Sequence, residues 1–100
     1  MDEQLSIIPS PDGAISQEDF EAYLEVIRDA LVIHFEKERI RRGLWKDYGA
    51  KEQVDVIKIK ADRVIRSLEL GIEGREENAK EELLDVINYA VFGIRRLQDG

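Results

Sequence analysis

Three carboxylates fall within five residues of the segment EELLDVINYA (81–90): Glu81, Glu82 and Asp85. On a helix turning about 100° per residue, Glu82 and Asp85 stand about 60° apart and Glu81 and Asp85 about 40° apart, so all three can converge beside the axis. Asn88 and Tyr89 continue that face one turn on. A hard divalent cation takes carboxylate oxygens and completes its octahedron with water and phosphate oxygens, so two acids one turn apart form half of such a site. Acids in a helix's first turn are also favoured by the dipole alone, which accounts for Glu81 and Glu82 without a metal. Asp85 is different. It lies past the first turn between Leu84 and Val86, and an aspartate is a poor helix former that seldom enters an apolar face without a partner.

A second pair, Glu52 and Asp55, has the same three-residue spacing, and Asp62 follows two turns later on the same side. Lys58, Lys60, Arg63 and Arg66 surround it, cations suited to gripping phosphates. The same residues also fit an ordinary solvated face laced with pairs such as Asp62–Arg66. His34, the sole histidine, shares a stripe with Ile27 and Leu31, as a satisfied core histidine would. Trp45 and Tyr48 suit either stacking on a base or plugging the end of a bundle.

The elements that must position these groups read as helices. Residues 1–15 hold both prolines and the turn signature PDG, and form an expected flexible or loosely docked arm. SQED (16–19) is a weak capping box, after which Phe20, Leu24, Ile27, Leu31 and Phe35 form one helical stripe from Gln17 to Arg42, stopped by Gly43. Residues 41–52 break the period as a structured loop. A second helix sets Val54, Ile57, Ala61, Val64, Ile65 and Leu68 on one expected face and ends at Gly71. A third runs from Glu76 to Leu97, with Arg95 and Arg96 in its last turn. The expected architecture is all-α: a single domain over 16–100 with three long helices in a small bundle.

From Leu83 to Leu97 ten of fifteen residues are apolar, more than a helix resting on one face needs. Two other helices cannot surround it, so self-association into a homo-oligomer with a four-helix-type core is expected. The rest of the composition narrows the function. With no cysteine, disulfide frameworks, thiolate metal sites and cysteine nucleophiles are excluded. A net charge of −7 argues against nonspecific nucleic-acid binding but not against a phosphate-bearing small ligand, which a metal ion can bridge to acids. No apolar run is long enough for a membrane span and the N-terminus is acidic, so a cytoplasmic protein is expected.

With DYG at 47–49, DRVIR at 62–66 and LLDVINYA at 83–90, the chain resembles the phage-associated nucleotide-modification domain. With ELLD (82–85) for ExxD and EQVD (52–55) near ExxE, it is also similar to the all-α nucleoside triphosphate pyrophosphatases, the MazG and dimeric dUTPase relatives. The resemblance implies catalytic metal ligands in Glu82 and Asp85, with Glu81, Asp62 and Asp55 as further acids around Mg²⁺ or Mn²⁺. It implies phosphate contacts from Arg63, Arg66 and Lys58, and a nucleotide pocket shaped by Asn88, Tyr89, Asp47 and Tyr48. The implied activity is a metal-dependent pyrophosphohydrolase, or a nucleotide-binding relative, serving phage nucleotide metabolism or DNA modification in a host cytoplasm. The alternative is a non-enzymatic helical module that binds a host or phage protein.

Overall fold

The computed structural model describes residues 16–71 and 75–99, and the expected arm at 1–15 lies outside them. Three helices follow in order, α1 (Gln17–Arg41), α2 (Ala50–Leu70) and α3 (Arg75–Asp99), with a 3-10 turn at Leu44–Asp47 between the first two. There is no strand among the described residues, and the expected all-α architecture is what forms.

The ends of α1 and α2 have local causes. The Asp19 N–H donates to Ser16 Oγ at 3.1 Å, which starts α1. At its end Arg42 (φ 48°) and Gly43 (φ 77°) both turn left-handed, and the Arg42 N–H closes on the Glu38 carbonyl at 2.9 Å. Helix α2 begins at Gly49, whose N–H donates to Glu52 Oε2 at 2.8 Å, and it ends at Gly71 with φ 59°. Only glycine takes that last conformation without a Cβ penalty.

Helices α2 and α3 pack closely along their length, whereas α1 rests more lightly on α3. Ala30, Val64, Ala79 and Leu84 are the buried apolar side chains among the described residues. The inward stripe of α2 keeps Ile57, Ala61 and Val64 of the expected one but is rotated from it. It runs through Gln53 and Val64, both buried, with half-buried Val56, Ile57 and Lys60 between them. Val54, Ile65 and Leu68, expected on the core face, are more than half exposed. Apolar identity alone set that expected face, but Gln53 and Lys60 have polar partners inside and so occupy it instead. Along α3, Leu83, Val91, Ile94 and Leu97 all stay exposed, the surplus that the composition of this helix foretold.

Candidate nucleotide cleft

The geometry is best built outward from Asp85. It sits about two-fifths of the way along α3, and its side chain is 14% exposed. Oδ1 accepts from Lys37 Nζ of α1 at 2.7 Å, and Oδ2 accepts from Lys60 Nζ of α2 at 3.1 Å, so one carboxylate ties all three helices together. Lys60 Nζ also donates to Glu82 Oε2 at 3.2 Å, while the other Glu82 oxygen lies 3.6 Å from Arg63 Nη1. The spacing that put Glu82 and Asp85 on one face therefore does bring them to a single point, and an ammonium group stands at it.

Burial by itself would push the Asp85 carboxyl up, but hydrogen bonds and charge from Lys37 and Lys60 outweigh it and hold the group below the usual carboxylate range. For Lys60, burial pulls the pKa down, and the hydrogen bonds and charges of Asp85 and Glu82 overcome this and raise it. A carboxyl depressed by folding stabilises the fold above its unfolded value of ~3.9 and loses that contribution as pH falls through the folded value. A raised amine contributes fully below ~10.4 and loses its share as pH climbs through the folded value. We expect urea midpoints measured from pH 5 down to pH 3 to fall more steeply for the wild type than for Asp85→Asn. Parallel slopes would contradict the assignment.

Beside Asp85 a cleft of about 410 Å³ opens between α1, the 3-10 turn, the start of α2 and the middle of α3. One wall is aromatic: Trp45, Tyr48, Tyr89 and Phe92. Trp45 stacks on Phe92 at 4.7 Å between centroids, and the Arg95 guanidinium lies 5.1 Å from its ring. Both contacts make it the plug of the bundle end. Tyr48, 47% exposed, keeps its ring available to a ligand. Tyr89 meets Phe92 edge-on at 5.5 Å, and Lys60 Nζ lies 5.8 Å from its ring centre. Gln53, buried to 2%, donates from Nε2 to the Trp45 carbonyl at 2.8 Å and thereby fixes the 3-10 turn to α2. Asn88 Nδ2 donates to the Ala30 carbonyl at 2.8 Å, which leaves its own carbonyl oxygen as the group it can offer to the cleft. The charged side chains lining the cleft are Lys37 and Arg41 against Glu38, Glu52, Asp55 and Asp85, a net −2.

The residues singled out from the sequence divide into three groups. Asp55, Tyr48, Asn88, Tyr89 and Asp85 line the cleft, although Asp55 is also paired with Lys51 at 3.0 Å. Glu81, Glu82, Arg63 and Arg66 line a second cavity between the end of α2 and the start of α3, and Asp85 borders both. Asp62, Lys58 and Asp47 are exposed and border neither cavity. His34 is half-buried rather than sealed in the core, with its ring 5.1 Å from Phe92.

Among the described residues no three acids or histidines gather closely enough to cage a metal by themselves. Mg²⁺ commonly takes one or two carboxylates and draws its other ligands from water and substrate phosphates. Glu82 and Asp85 are oxygen donors of that kind, so the donor set fits an ion that arrives with phosphate. Such an ion would compete with Lys37 and Lys60 for the same lone pairs.

Sequence reasoning missed Lys37 of this centre, and it placed Lys60 only among the cations around Asp62, not beside Asp85. Lys37 follows Ala30 by seven residues on the inner face of α1, the same anomaly of charge on an apolar stripe that exposed Asp85. Lys60 lies seven residues after Gln53 and four before Val64, which puts it on the buried stripe that Lys58 avoids.

Residues 44–97 match the family model described as Nucleotide modification associated domain 1. The chain belongs to that family. The matched part of this nucleotide modification associated domain covers the 3-10 turn, α2 and nearly all of α3, and so supplies the aromatic wall with Asp85, Glu82 and Lys60. Helix α1, with Lys37 and Arg41, lies outside the match. Searches of curated proteins and of solved structures found no match. No helix among the described residues is long and apolar enough to cross a membrane.

Proposed function

We propose that the cleft of this nucleotide modification associated domain binds a nucleoside triphosphate as its Mg²⁺ or Mn²⁺ complex and hydrolyses it between the α- and β-phosphates. The observation that carries this reading is the pairing of an aromatic wall with charged groups that sum to −2. Rings suit a base, but a polyphosphate entering a negative cleft needs cations brought with it. The family's association with nucleotide modification agrees with a nucleotide as the ligand.

The ring of Tyr48 would cover the base, with Tyr89 behind it, and the Asn88 carbonyl oxygen would accept from an exocyclic amine. Lys37 (side chain 39% exposed) and Arg41 would leave their present surroundings for phosphate oxygens. Glu82 and Asp85 would hold the divalent ion, which supplies charge neutralisation and a water acidified enough to attack. Attack of water on the α-phosphorus would break its bond to the bridging oxygen, with the proton released by the water passing to solvent and the bonding pair leaving on the pyrophosphate. The chain's cations take the charge on the departing pyrophosphate, and a nucleoside monophosphate remains. Gln53 and Asn88 line the cleft with each side-chain nitrogen already partnered, and Lys60 is matched by Asp85 and Glu82, so the polar groups around the pocket are held in place before a ligand arrives.

Calorimetry with a non-hydrolysable triphosphate, with Mg²⁺ and with excess EDTA, tests the binding. Release of monophosphate and pyrophosphate from each natural NTP and dNTP tests the chemistry. We expect affinity to fall at least about ten-fold in EDTA, since two like charges left uncompensated cost more than the ~1.4 kcal/mol that a factor of ten represents. Equal binding in EDTA would remove the ion from the site, and no binding of any nucleotide would remove the reading altogether.

A further inference from the structure

The net charge of −7 conceals an uneven distribution. Residues 39–46 carry four cations and no acid, where α1 ends and the 3-10 turn begins. Arg95 of α3 joins them in space: its guanidinium lies 5.1 Å from the Trp45 ring centre, and Lys46 Nζ lies 5.9 Å from the same ring. Beside the cleft, Lys37, Lys60 and Arg63 are answered by Asp85 and Glu82. Arg39, Arg41, Arg42, Lys46 and Arg95 are exposed, and among the described residues none of the five has a carboxylate within 4.0 Å. With the flanking Glu38 and Asp47 counted, five minus two, the group still carries +3. The dipole of α1 accounts for Arg39 and Arg41 in its last turn and for Arg42 at its cap. It gives no reason for Lys46, beyond the helix, or for Arg95, which precedes the last turn of α3.

We propose that this end of the bundle is a binding surface for single-stranded nucleic acid, held by its phosphates. Single strands are held where a track of cations is interleaved with aromatic rings on which bases stack. Both parts are present here and are continuous, because Arg41 lines the cleft together with Trp45 and Tyr48. Tyr48 is 47% exposed, so its ring is open to an unpaired base. A duplex keeps its bases stacked on one another and closed to such a ring, which favours the single strand. Ile40, 85% exposed, lies among the same cations, so an anionic membrane surface is the competing ligand. The surface stands whether or not the cleft hydrolyses a triphosphate, and its failure would leave that reading intact.

Fluorescence anisotropy of a labelled oligo-dT, about a dozen nucleotides long, measures the binding with the full chain. Thymine has no exocyclic amine, so this probe does not call on the Asn88 oxygen. Binding is expected at about 50 mM salt and weakens as salt is added, with a log–log slope near about −3 for roughly four neutralised phosphates. Emission from Trp45, the sole tryptophan, changes over the same titration. Arg42→Gln with Lys46→Gln lowers the affinity at least about ten-fold and cuts the slope to roughly half. Arg28→Gln with Lys80→Gln removes the same charge from exposed positions about 20 Å along their helices from Arg42 and Arg95, and leaves binding unchanged. All four positions are exposed, and far-ultraviolet circular dichroism of both double variants matches the wild type. Oligo-U binds as oligo-dT does, since contacts to phosphates carry no base information. No binding at low salt, equal losses in the two double variants, tighter binding of a duplex, or tighter binding of phosphatidylserine vesicles would each overturn the proposal.

Discussion

Asp85→Ala is expected to abolish nucleotide turnover and to lower folding stability by about 2–3 kcal/mol. The size follows from where the charges are left. Lys60, 14% exposed, keeps only Glu82, and Lys37 loses the acid 2.7 Å from it. Breaking a fully buried pair costs roughly 3–5 kcal/mol and an exposed one at most about 1 kcal/mol, and this cluster lies between the two, nearer the buried end. Asp85→Asn keeps the shape and should recover part of the stability but none of the turnover. A cycle combining Asp85→Asn with Lys60→Met, followed by urea denaturation, isolates the pair, and about 1–2 kcal/mol of coupling is expected. Stability within 0.5 kcal/mol of wild type for Asp85→Ala, a bound within ordinary surface scatter, would show that the three helices do not depend on this carboxylate.

Trp45→Ala should cost about 3 kcal/mol and loosen the whole mouth of the cleft. The indole is lost from the face of Phe92 and from beneath Arg95, which leaves the Gln53 hydrogen bond to the backbone at 45 to hold the 3-10 turn to α2. Trp45→Phe, which restores a stacking face but not the volume, should cost about 1 kcal/mol. Thermal melts followed by circular dichroism give both values. In the wild type, Trp45 is also the sole tryptophan, so its fluorescence reports the same transition. If Trp45→Ala melts with the wild type, the indole is no plug.

Three helices were legible, and so were the ends that have a local cause, whereas the start of α2 at Ala50 falls within the expected loop of 41–52. Ser16, Gly43 and Gly71 stop or start backbone whatever lies around them. Asp85 could be found because a lone acid between Leu84 and Val86 contradicts its surroundings. What it is paired with could not. Lys37 is forty-eight residues away, and a pairing across that distance depends on how α1 crosses α3, which no periodicity specifies. The inner face of α2 was misplaced for a related reason. Gln53 looks like surface until the Trp45 carbonyl is set against it, and Val54 looks like core until that has happened. The cleft combines residues from every helix, so its aromatic wall was visible from sequence only as separate, ambiguous rings.

The Asn88 side chain bridges two tasks through one conjugated amide. Its nitrogen seats α1 through Ala30, the most deeply buried apolar residue of that helix, while its oxygen is the acceptor it can offer to the cleft it lines. A ligand that donates a hydrogen to that oxygen polarises the amide and makes its N–H a stronger donor. Occupancy would therefore tighten the fulcrum on which α1 rests, and the grip on a guest and the rigidity of the host would rise together.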